Sequence, residues 1–184
     1  MALLVARAIC PDQPAFAHPP FDFEHRIVTA DLPGFTAASV YVPNGGKDYE
    51  AKLRFLDALA TWAGEFEAAG RPLVICGDIN VARTDLDVHA KERKAGAIGQ
   101  RPDERALVER LLAGGLVDVA RALVPDDATI FTWWPPWRQM RQRNIGWRID
   151  YVFASPGLAA RASSCPVDAA FGTSDHAPLV ATFA

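Results

Sequence analysis

The chain has 184 residues, 50% of them hydrophobic, and its 19 Lys and Arg residues against 22 Asp and Glu residues give a formal net charge of -3. This composition excludes a disordered, collagen-like or coiled-coil chain, and a chain of this length, which buries roughly 70% of its unfolded surface, is expected to form one domain over residues 1–184. The negative charge also excludes a protein that coats nucleic acid through bulk charge, so any site for a polyanion must be local.

The first half of the chain is predicted to form short strands and one long helix. Segments 2–9, 25–32 and 35–42 are rich in Val, Ile and aromatic residues and are separated by Pro and Gly, which is typical of strands joined by turns. Across segment 48–69 apolar residues recur at intervals of three and four, which predicts a helix; they are Leu53, Leu56, Leu59, Ala63 and Phe66. The apolar run 73–76 predicts a buried strand.

The second half of the chain returns to strands after one more helix. The helix is predicted over 103–113, where Gly114 and Gly115 end it. Strand-like segments follow at 130–133, 148–154, 161–169 and 179–183. Because strands outnumber helices, we expect an α/β protein in which sheets are covered by a few helices.

The cysteines and the apolar segments bear on location. Cys10, Cys76 and Cys165 are an odd number at wide spacing, without a C-x-x-C pair or the histidine spacing of a zinc site, which indicates reduced thiols in the cytoplasm. No segment reaches the ~20 apolar residues of a membrane-spanning helix. We therefore expect no membrane association, and no obligate protein partner is evident in the sequence.

Polar residues follow the buried strand at its carboxyl end. In the motif GDIN at 77–80, an extended backbone would place Asp78 and Asn80 on one side and Ile79 on the other, so that a carboxylate and an amide come together. Such strand ends favour ligand sites, but side chains that cap a turn explain an isolated motif of this kind at least as well.

Two other motifs contain possible partners for one another. Asp150 opens an apolar strand and needs a partner if it is buried, and Arg148 or a histidine could supply it. In SDHAP at 174–178, the adjacent Ser, Asp and His are not read as a hydrolase triad, because Ser and Asp must meet opposite nitrogens of one imidazole. A His176 held by a distant Asp is favoured instead.

An aromatic and basic stretch occupies residues 132–148 and contains four of the five Trp residues. Arg binds phosphate in forked geometry and Trp stacks on bases or sugars, so the stretch is a candidate nucleic-acid surface. A Trp-rich loop packed on the core, with solvated arginines, is the equal alternative.

Taken in order, these motifs resemble the exodeoxyribonuclease III family of DNA-repair nucleases. The series is YVPN at 41–44, GDIN at 77–80, NIGWRIDY at 144–151 and SDHAP at 174–178, and the resemblance covers essentially the whole chain. It implies a DNase I-like fold, a four-layer αββα sandwich with two facing sheets. It also implies a Mg²⁺ cofactor, which Mn²⁺ could replace, with cleavage at abasic sites and 3′ to 5′ exonuclease action on duplex DNA.

The resemblance implies a catalytic set of Tyr41, Asp78, Asn80, Asp150 and His176. Asp78 would orient and deprotonate the attacking water, and Asn80 would hold water or phosphate. Asp150 would orient His176, which would contact the scissile phosphate. Displacement at phosphorus needs such positioned groups rather than covalent partners.

The resemblance also implies residues that bind DNA and metal. Asn44 would bind phosphate, and Lys47 would face the DNA. The implied apolar pocket for a flipped-out abasic sugar comprises Trp133, Trp147 and Ile149, next to Arg148, which is also expected to bind substrate. The implied metal ligands are Asp78, Asn80 and Asp175.

One departure from the family is large. Family members begin with a further segment that carries an Asn in a first strand and a Glu that is the principal metal ligand, and residues 1–184 match neither. We therefore expect a chain shortened at its N-terminus, with weak metal binding, little activity alone and uncovered apolar surface.

Two other functions stay open at this point. One is a phosphodiesterase of the same fold that acts on RNA or on a phospholipid headgroup, and the other is a DNA-binding fragment without catalysis. The Trp and Arg stretch favours DNA, because lipid headgroups need no stacking surface.

Overall fold

The protein is built on one large sheet, as described by a computed structural model of residues 1–22 and 24–184. Its strands are β1 (Phe16–Ala17), β2 (Ile27–Leu32), β3 (Phe35–Tyr41), β4 (Leu73–Asp78), β5 (Val117–Asp118) and β6 (Asp150–Ala154), in the order β1-β2-β3-β4-β6-β5. Strands β3 and β4 are parallel, whereas the other neighbours are antiparallel. The further strands β7 (Ala162–Ser164) and β8 (Thr182–Phe183) pair in a small second sheet.

Two helices, α1 (Tyr49–Ala68) and α2 (Pro102–Ala113), cover one face of the large sheet. Helix α1 begins after Asp48, whose side chain accepts a hydrogen bond from the Ala51 amide at 2.8 Å, a typical N-cap. The buried core between helices and sheet includes Leu56, Leu59, Phe66, Val108, Leu111, Ile75 and Phe153. Short helices α3 (Val119–Leu123) and α4 (Pro156–Ala159) and 3₁₀ turns at Asp85–Asp87 and Ala90–Glu92 complete the elements.

The opposite face of the sheet is covered by the C-terminal part of the chain. Val74, Val152 and Ala154 pack there against residues that include Leu179 and Phe183. Apolar side chains also remain exposed outside this contact, among them Leu4 (94%), Phe171 (63%) and Val180 (50%).

Both predicted long helices and the strands predicted over 25–32, 35–42 and 73–76 are present, within a few residues of the expected ends. The predicted strand 2–9 is wrong, because a strand needs a hydrogen-bonded neighbour and no segment of the described chain pairs with it. The prediction for 130–133 is also wrong, since only Trp133 forms isolated bridges there.

The last two predicted strands are shorter than expected. Segment 161–169 contributes only Ala162–Ser164, and segment 179–183 contributes only Thr182–Phe183. The pairing of β7 with β8 is irregular between Ala162 and Ser164, and Pro166 lacks the amide hydrogen that would extend it. In the part of the chain that the structure describes, no helix has both the length and the hydropathy needed to cross a membrane.

Arg148 is fully buried and joins three parts of the fold. Its Nε donates to Asp87 Oδ1 at 2.7 Å, and its two terminal nitrogens donate to Asp118 at 2.9 and 2.8 Å. Arg121 donates to the same Asp87 oxygen at 2.6 Å. Burial alone would raise the pKa of Asp87, but the two guanidinium groups hold it below its ordinary value. The network therefore ties β5 and the start of β6 to the 3₁₀ turn at Asp85–Asp87.

This location corrects two sequence expectations. Arg148 pairs with Asp87 and Asp118 rather than with Asp150, and its guanidinium is out of reach of a substrate because it has no exposed surface. A buried guanidinium with two carboxylate partners is a structural group. It fixes the strand that Asp150 opens.

We predict that Arg148→Met lowers the free energy of unfolding by about 3–5 kcal/mol, because it removes the buried cation that bridges Asp87 and Asp118. Urea denaturation measures this change. Arg143→Met, which removes an exposed guanidinium from the neighbouring loop, is the matched control and should change stability by less than about 0.5 kcal/mol. A loss below about 1 kcal/mol in Arg148→Met would contradict the structural role.

Candidate active site

Three polar side chains form one row across adjacent strands. Tyr41 is the last residue of β3, Asp78 is the last residue of β4, and Asp150 is the first residue of β6. The pairing register sets Tyr41 opposite Asp78 and Asp78 opposite Asp150. Because residues in register on paired strands project from the same face, a phenol and two carboxylates meet at one edge of the sheet.

Gly77 lets β4 approach β3 closely enough to form this row. Its φ is +136°, and a Cβ at this position would lie 2.0 Å from the carbonyl oxygen of Val40. A side chain would therefore push the strands apart just before Asp78. The backbone geometry at this position therefore requires the glycine of the GDIN motif.

Asn80 holds the carboxylate of Asp78 in place. Its backbone amide donates to Asp78 Oδ1 at 2.8 Å, and its side-chain nitrogen donates to Asp78 Oδ2 at 2.9 Å. The same nitrogen donates to the Val42 carbonyl at 2.9 Å. Asn80 adopts a φ of +57°, which Asn tolerates better than most residues. The motif thus forms the capped turn that the sequence allowed, and this turn also orients Asp78.

His176 is held by Asp150, which is 26 residues earlier in the chain. Its Nδ1 lies 2.9 Å from Asp150 Oδ2. Burial alone would lower the pKa of His176, but the hydrogen bond and the charge of Asp150, together with the charge of Asp78, raise it above its ordinary value. The structure thus supplies the distant Asp partner that the sequence favoured, and it promotes the charged imidazolium.

The pKa of Asp78 lies near neutral pH. Burial and the negative charge of Asp150 raise its pKa to about 7, although His176, the Asn80 amide and Lys52 act in the opposite direction. A carboxylate that titrates near neutral pH can accept a proton from water at that pH.

These groups line a cleft of about 460 Å³. The predicted site residues on its wall are Tyr41, Asn44, Asp78, Asn80, Trp133, Trp147, Ile149, Asp175 and His176. Asp150 lies behind His176, and Lys47 lines an adjoining groove of about 490 Å³ that shares Tyr41 and Asn44 with the cleft. Arg148 is the predicted site residue that the structure keeps away from the cleft.

Three cleft residues were missed by the sequence analysis: Gly46, Ile98 and Gly99. Glycine and isoleucine carry no chemical signal, and Ile98 and Gly99 belong to a loop whose course depends on the tertiary structure. The only available indication was the position of Gly46 inside the loop that follows the YVPN motif.

One wall of the cleft is apolar. Trp133 and Trp147 exchange backbone hydrogen bonds at 2.8 and 2.9 Å, and their rings meet edge to face with centroids 5.7 Å apart. The indole nitrogen of Trp133 also donates to Asp175 Oδ2 at 3.0 Å. Asp175 is therefore fixed at the boundary between the apolar wall and the polar row.

The aromatic and basic stretch divides between the two roles left open by the sequence. Trp134 is buried. Arg141 donates to the carbonyl groups of Ala169, Phe171 and Ser174, and these hydrogen bonds hold the loop that precedes His176. Trp137, in contrast, is 57% exposed. The stretch is thus partly a packed loop and partly a surface available for contact.

A larger cavity of about 700 Å³ lies elsewhere, beside α3 and β7. Its lining is mainly apolar, and its Asn144 is already bonded to Trp134 and to the Thr129 carbonyl. Of the two spaces, only the smaller cleft combines adjacent carboxylates, a histidine and perturbed acidities, so the chemistry is assigned there.

Comparison with known proteins gives a consistent result. A sequence model of the Endonuclease/Exonuclease/phosphatase family matches residues 1–176. The zebrafish protein named DNA repair nuclease APEX1 is 35% identical over 164 residues, which are 86% of this chain and 52% of that protein. The exodeoxyribonuclease of Bacillus subtilis is 31% identical over 161 residues, which are 86% of this chain and 64% of that protein. The chain thus spans about half to two thirds of these relatives.

Solved structures agree with the sequence comparisons. The structure of an AP endonuclease from Archaeoglobus fulgidus superposes with a TM-score of 0.82 at 31% identity, covering 94% of this chain and 70% of that one. A 3′ phosphatase from Neisseria, NExo, bound to a product DNA hairpin superposes with a TM-score of 0.84 at 30% identity, covering 93% and 70%. The mixed α/β architecture is therefore that of the DNase I-like nucleases.

We predict that His176 titrates above the ordinary histidine value of about 6.5 and that Asp150→Asn lowers its pKa. Without the negative charge of Asp150, burial of the imidazole favours its neutral form. An NMR titration of the His176 ring protons measures both values. Asp31→Asn removes a carboxylate on β2 and serves as control, with no change in the His176 pKa. An unchanged pKa in Asp150→Asn would contradict the coupling.

Proposed function

The chain belongs to the Endonuclease/Exonuclease/phosphatase family, and from this we propose that it is a DNA-repair nuclease that hydrolyses phosphodiesters at abasic sites and at 3′ ends of duplex DNA. One observation carries the proposal: Tyr41, Asp78 and Asp150 lie in one cross-strand row beside His176. Support comes from relatives that are named a DNA repair nuclease, an AP endonuclease and a 3′-5′ exonuclease.

Asp78 acts on the attacking water in this proposal. Its pKa of about 7 makes it a carboxylate that is ionised in a large fraction of molecules at neutral pH and is still basic enough to take a proton. Asn80 donates to both of its oxygens and so limits the directions in which the carboxylate can turn. Water bound at Asp78 would therefore have a defined direction of approach to phosphorus.

His176 and its neighbours stabilise the phosphoryl oxygens. Since Nδ1 of His176 faces Asp150, Nε2 is the nitrogen left to donate to a phosphate oxygen. The imidazolium favoured by Asp150 adds a positive charge where negative charge develops. Tyr41 and Asn44, on the same cleft wall, add polar groups that can bind the phosphate.

A divalent cation fits the donors that the cleft contains. Asp78 and Asp175 offer carboxylate oxygens and Asn80 offers an amide oxygen, as Mg²⁺ or Mn²⁺ requires. Among residues 1–22 and 24–184 there is no set of three His, Cys, Asp or Glu side chains placed to hold a metal. The cation would therefore depend on water and substrate phosphate for its remaining ligands, as Mg²⁺ usually does. When bound, it would offset the charge on the reacting phosphate.

The apolar wall fits an abasic sugar. Trp133, Trp147 and Ile149 line the cleft beside the polar row, so a deoxyribose without its base would contact apolar rings while its phosphate meets His176. Enzymes that act on one nucleotide of a duplex take it out of the stack, and a missing base lowers the cost of doing so.

The DNA would extend from the cleft over two local surfaces. Lys47 lines the adjoining groove and can contact the phosphate backbone. Trp137 presents an exposed indole on the aromatic and basic stretch, and the adjacent Arg138 is also exposed. Local contacts of this kind reconcile DNA binding with a net charge of -3.

We predict that Asp78→Asn reduces incision of abasic duplex at least about 100-fold, because an amide cannot accept the proton from water. Gel separation of a labelled duplex that carries one abasic site, in the presence of Mg²⁺ and with EDTA as the metal-free reference, measures the rate.

Asp126→Asn, which changes an exposed Asp outside the cleft, is the matched control and should retain the original rate. Incision by Asp78→Asn at a near-normal rate would remove Asp78 from catalysis. Retardation of the duplex without Mg²⁺-dependent nicking by the unmodified protein would instead favour a DNA-binding role.

A further inference from the structure

Helices α1 and α2 share a fully buried ion pair. Lys52 of α1 and Glu104 of α2 both have no exposed side-chain surface, and Lys52 Nζ lies 2.5 Å from Glu104 Oε2. Taking two charges out of water is unfavourable, and apolar residues of similar volume often stabilise such a place equally well. The other hydrogen bonds of Lys52 and Glu104 are made to backbone groups near the cleft, and they indicate the role of the ion pair.

Lys52 reaches the backbone of the candidate active site. Its Nζ donates to the carbonyl oxygen of Asn80 at 2.8 Å. Asn80 has a φ of +57°, which turns this carbonyl out of the strand direction, and among the hydrogen bonds of the described residues Lys52 is its only donor. A partly buried carbonyl without a donor is unfavourable, so the lysine stabilises the turn in which Asn80 holds Asp78.

Glu104 reaches a second backbone segment of the cleft wall, at Gly99. Its Oε1 accepts from the amides of Gly99 at 2.5 Å and Arg101 at 2.9 Å. Gly99 has a φ of +90°, and a Cβ there would lie 2.8 Å from the ring of Trp147. The loop held by Glu104 therefore sets the wall against which Trp147 packs.

The two backbone segments are also joined directly. The amide of Ala82, two residues after Asn80, donates to the Gly99 carbonyl at 2.7 Å. The ion pair and this hydrogen bond thus close a ring that runs from Lys52 through Asn80 and Gly99 to Glu104. Movement of either charged group would shift both the turn that holds Asp78 and the loop behind Trp147.

We propose that Lys52 and Glu104 are positioning residues for the cleft. Lys52 acts through the Asn80 carbonyl on Asp78, and Glu104 acts through Gly99 on the apolar wall. Neither touches the cleft itself, because neither lines it. The catalytic half of this inference rests on the proposed nuclease function, whereas the conformational half is independent of it.

Hydrogen exchange in Lys52→Met tests the conformational half. Met keeps the approximate volume and removes the donor, so amides in segments 78–82 and 97–101 should exchange about tenfold faster or more, as expected for loss of roughly 1.4 kcal/mol of local stability. Arg110→Met is the matched control, since Arg110 joins α2 to Asp57 of α1 on the surface. It should leave both segments unchanged.

Incision of abasic duplex tests the catalytic half. At a temperature where the variant is folded, Lys52→Met should lower the single-turnover rate at least about tenfold while the Kd for the duplex changes little, because the lysine acts on Asp78 and not on DNA. Arg110→Met should keep the original rate. A merely structural lysine would leave the rate of the folded variant unchanged.

Each outcome decides one part of the inference. Unchanged exchange in both segments of folded Lys52→Met overturns it, and faster exchange with an unchanged rate overturns its catalytic half. If the unmodified protein does not incise DNA, the proposed function fails, but the exchange result still stands. Should Lys52→Met not fold, Glu104→Gln, which removes the charge and keeps the size, takes its place in both measurements, with faster exchange in both segments expected and no change overturning the inference.

Discussion

Two carboxylates, Asp78 and Asp150, lie side by side at the ends of neighbouring strands. The rest of the site depends on the groups that offset their mutual repulsion. Both are partly buried, and burial together with the negative charge of Asp150 raises the pKa of Asp78 to about 7. His176 balances the charge of Asp150, while Asn80 supplies hydrogen bonds to Asp78. The arrangement leaves one basic carboxylate and one imidazole whose charged form is favoured facing the same cleft, the pair that the proposed hydrolysis requires.

Ion pairs outside the cleft keep this unfavourable arrangement in place. Arg148, with Asp87 and Asp118, fixes the start of the strand that Asp150 opens. Lys52 and Glu104 connect the helices to the turn and the loop that border the cleft. Buried pairs of this kind contribute little net stability, so their value lies in the geometry they impose.

The sequence predicted the secondary elements where local pattern and tertiary contacts agree. The period of apolar residues gave helix α1, and the apolar run before Gly77 gave β4, because both elements bury the face that the pattern marks. Segment 2–9 has the composition of a strand but lacks a partner in the described chain, and a partner is not encoded in the segment itself.

The motif series also indicated most cleft residues, since Asp, Asn and His carry a chemical signal. Arg148 was placed wrongly because a motif does not show which of its members face inward, and Ile98 and Gly99 were missed because they carry no such signal.

A double-mutant cycle on Asp150 and His176 tests the central claim most directly, namely that the row and the histidine act as one unit on the phosphate. The rates of abasic incision are compared for Asp150→Asn, His176→Ala and the double variant. If Asp150 acts through His176, the incision rate of the double variant is about the same as that of the slower single variant. A rate reduction in the double variant equal to the product of the two single reductions would show that the residues act independently and would contradict the account.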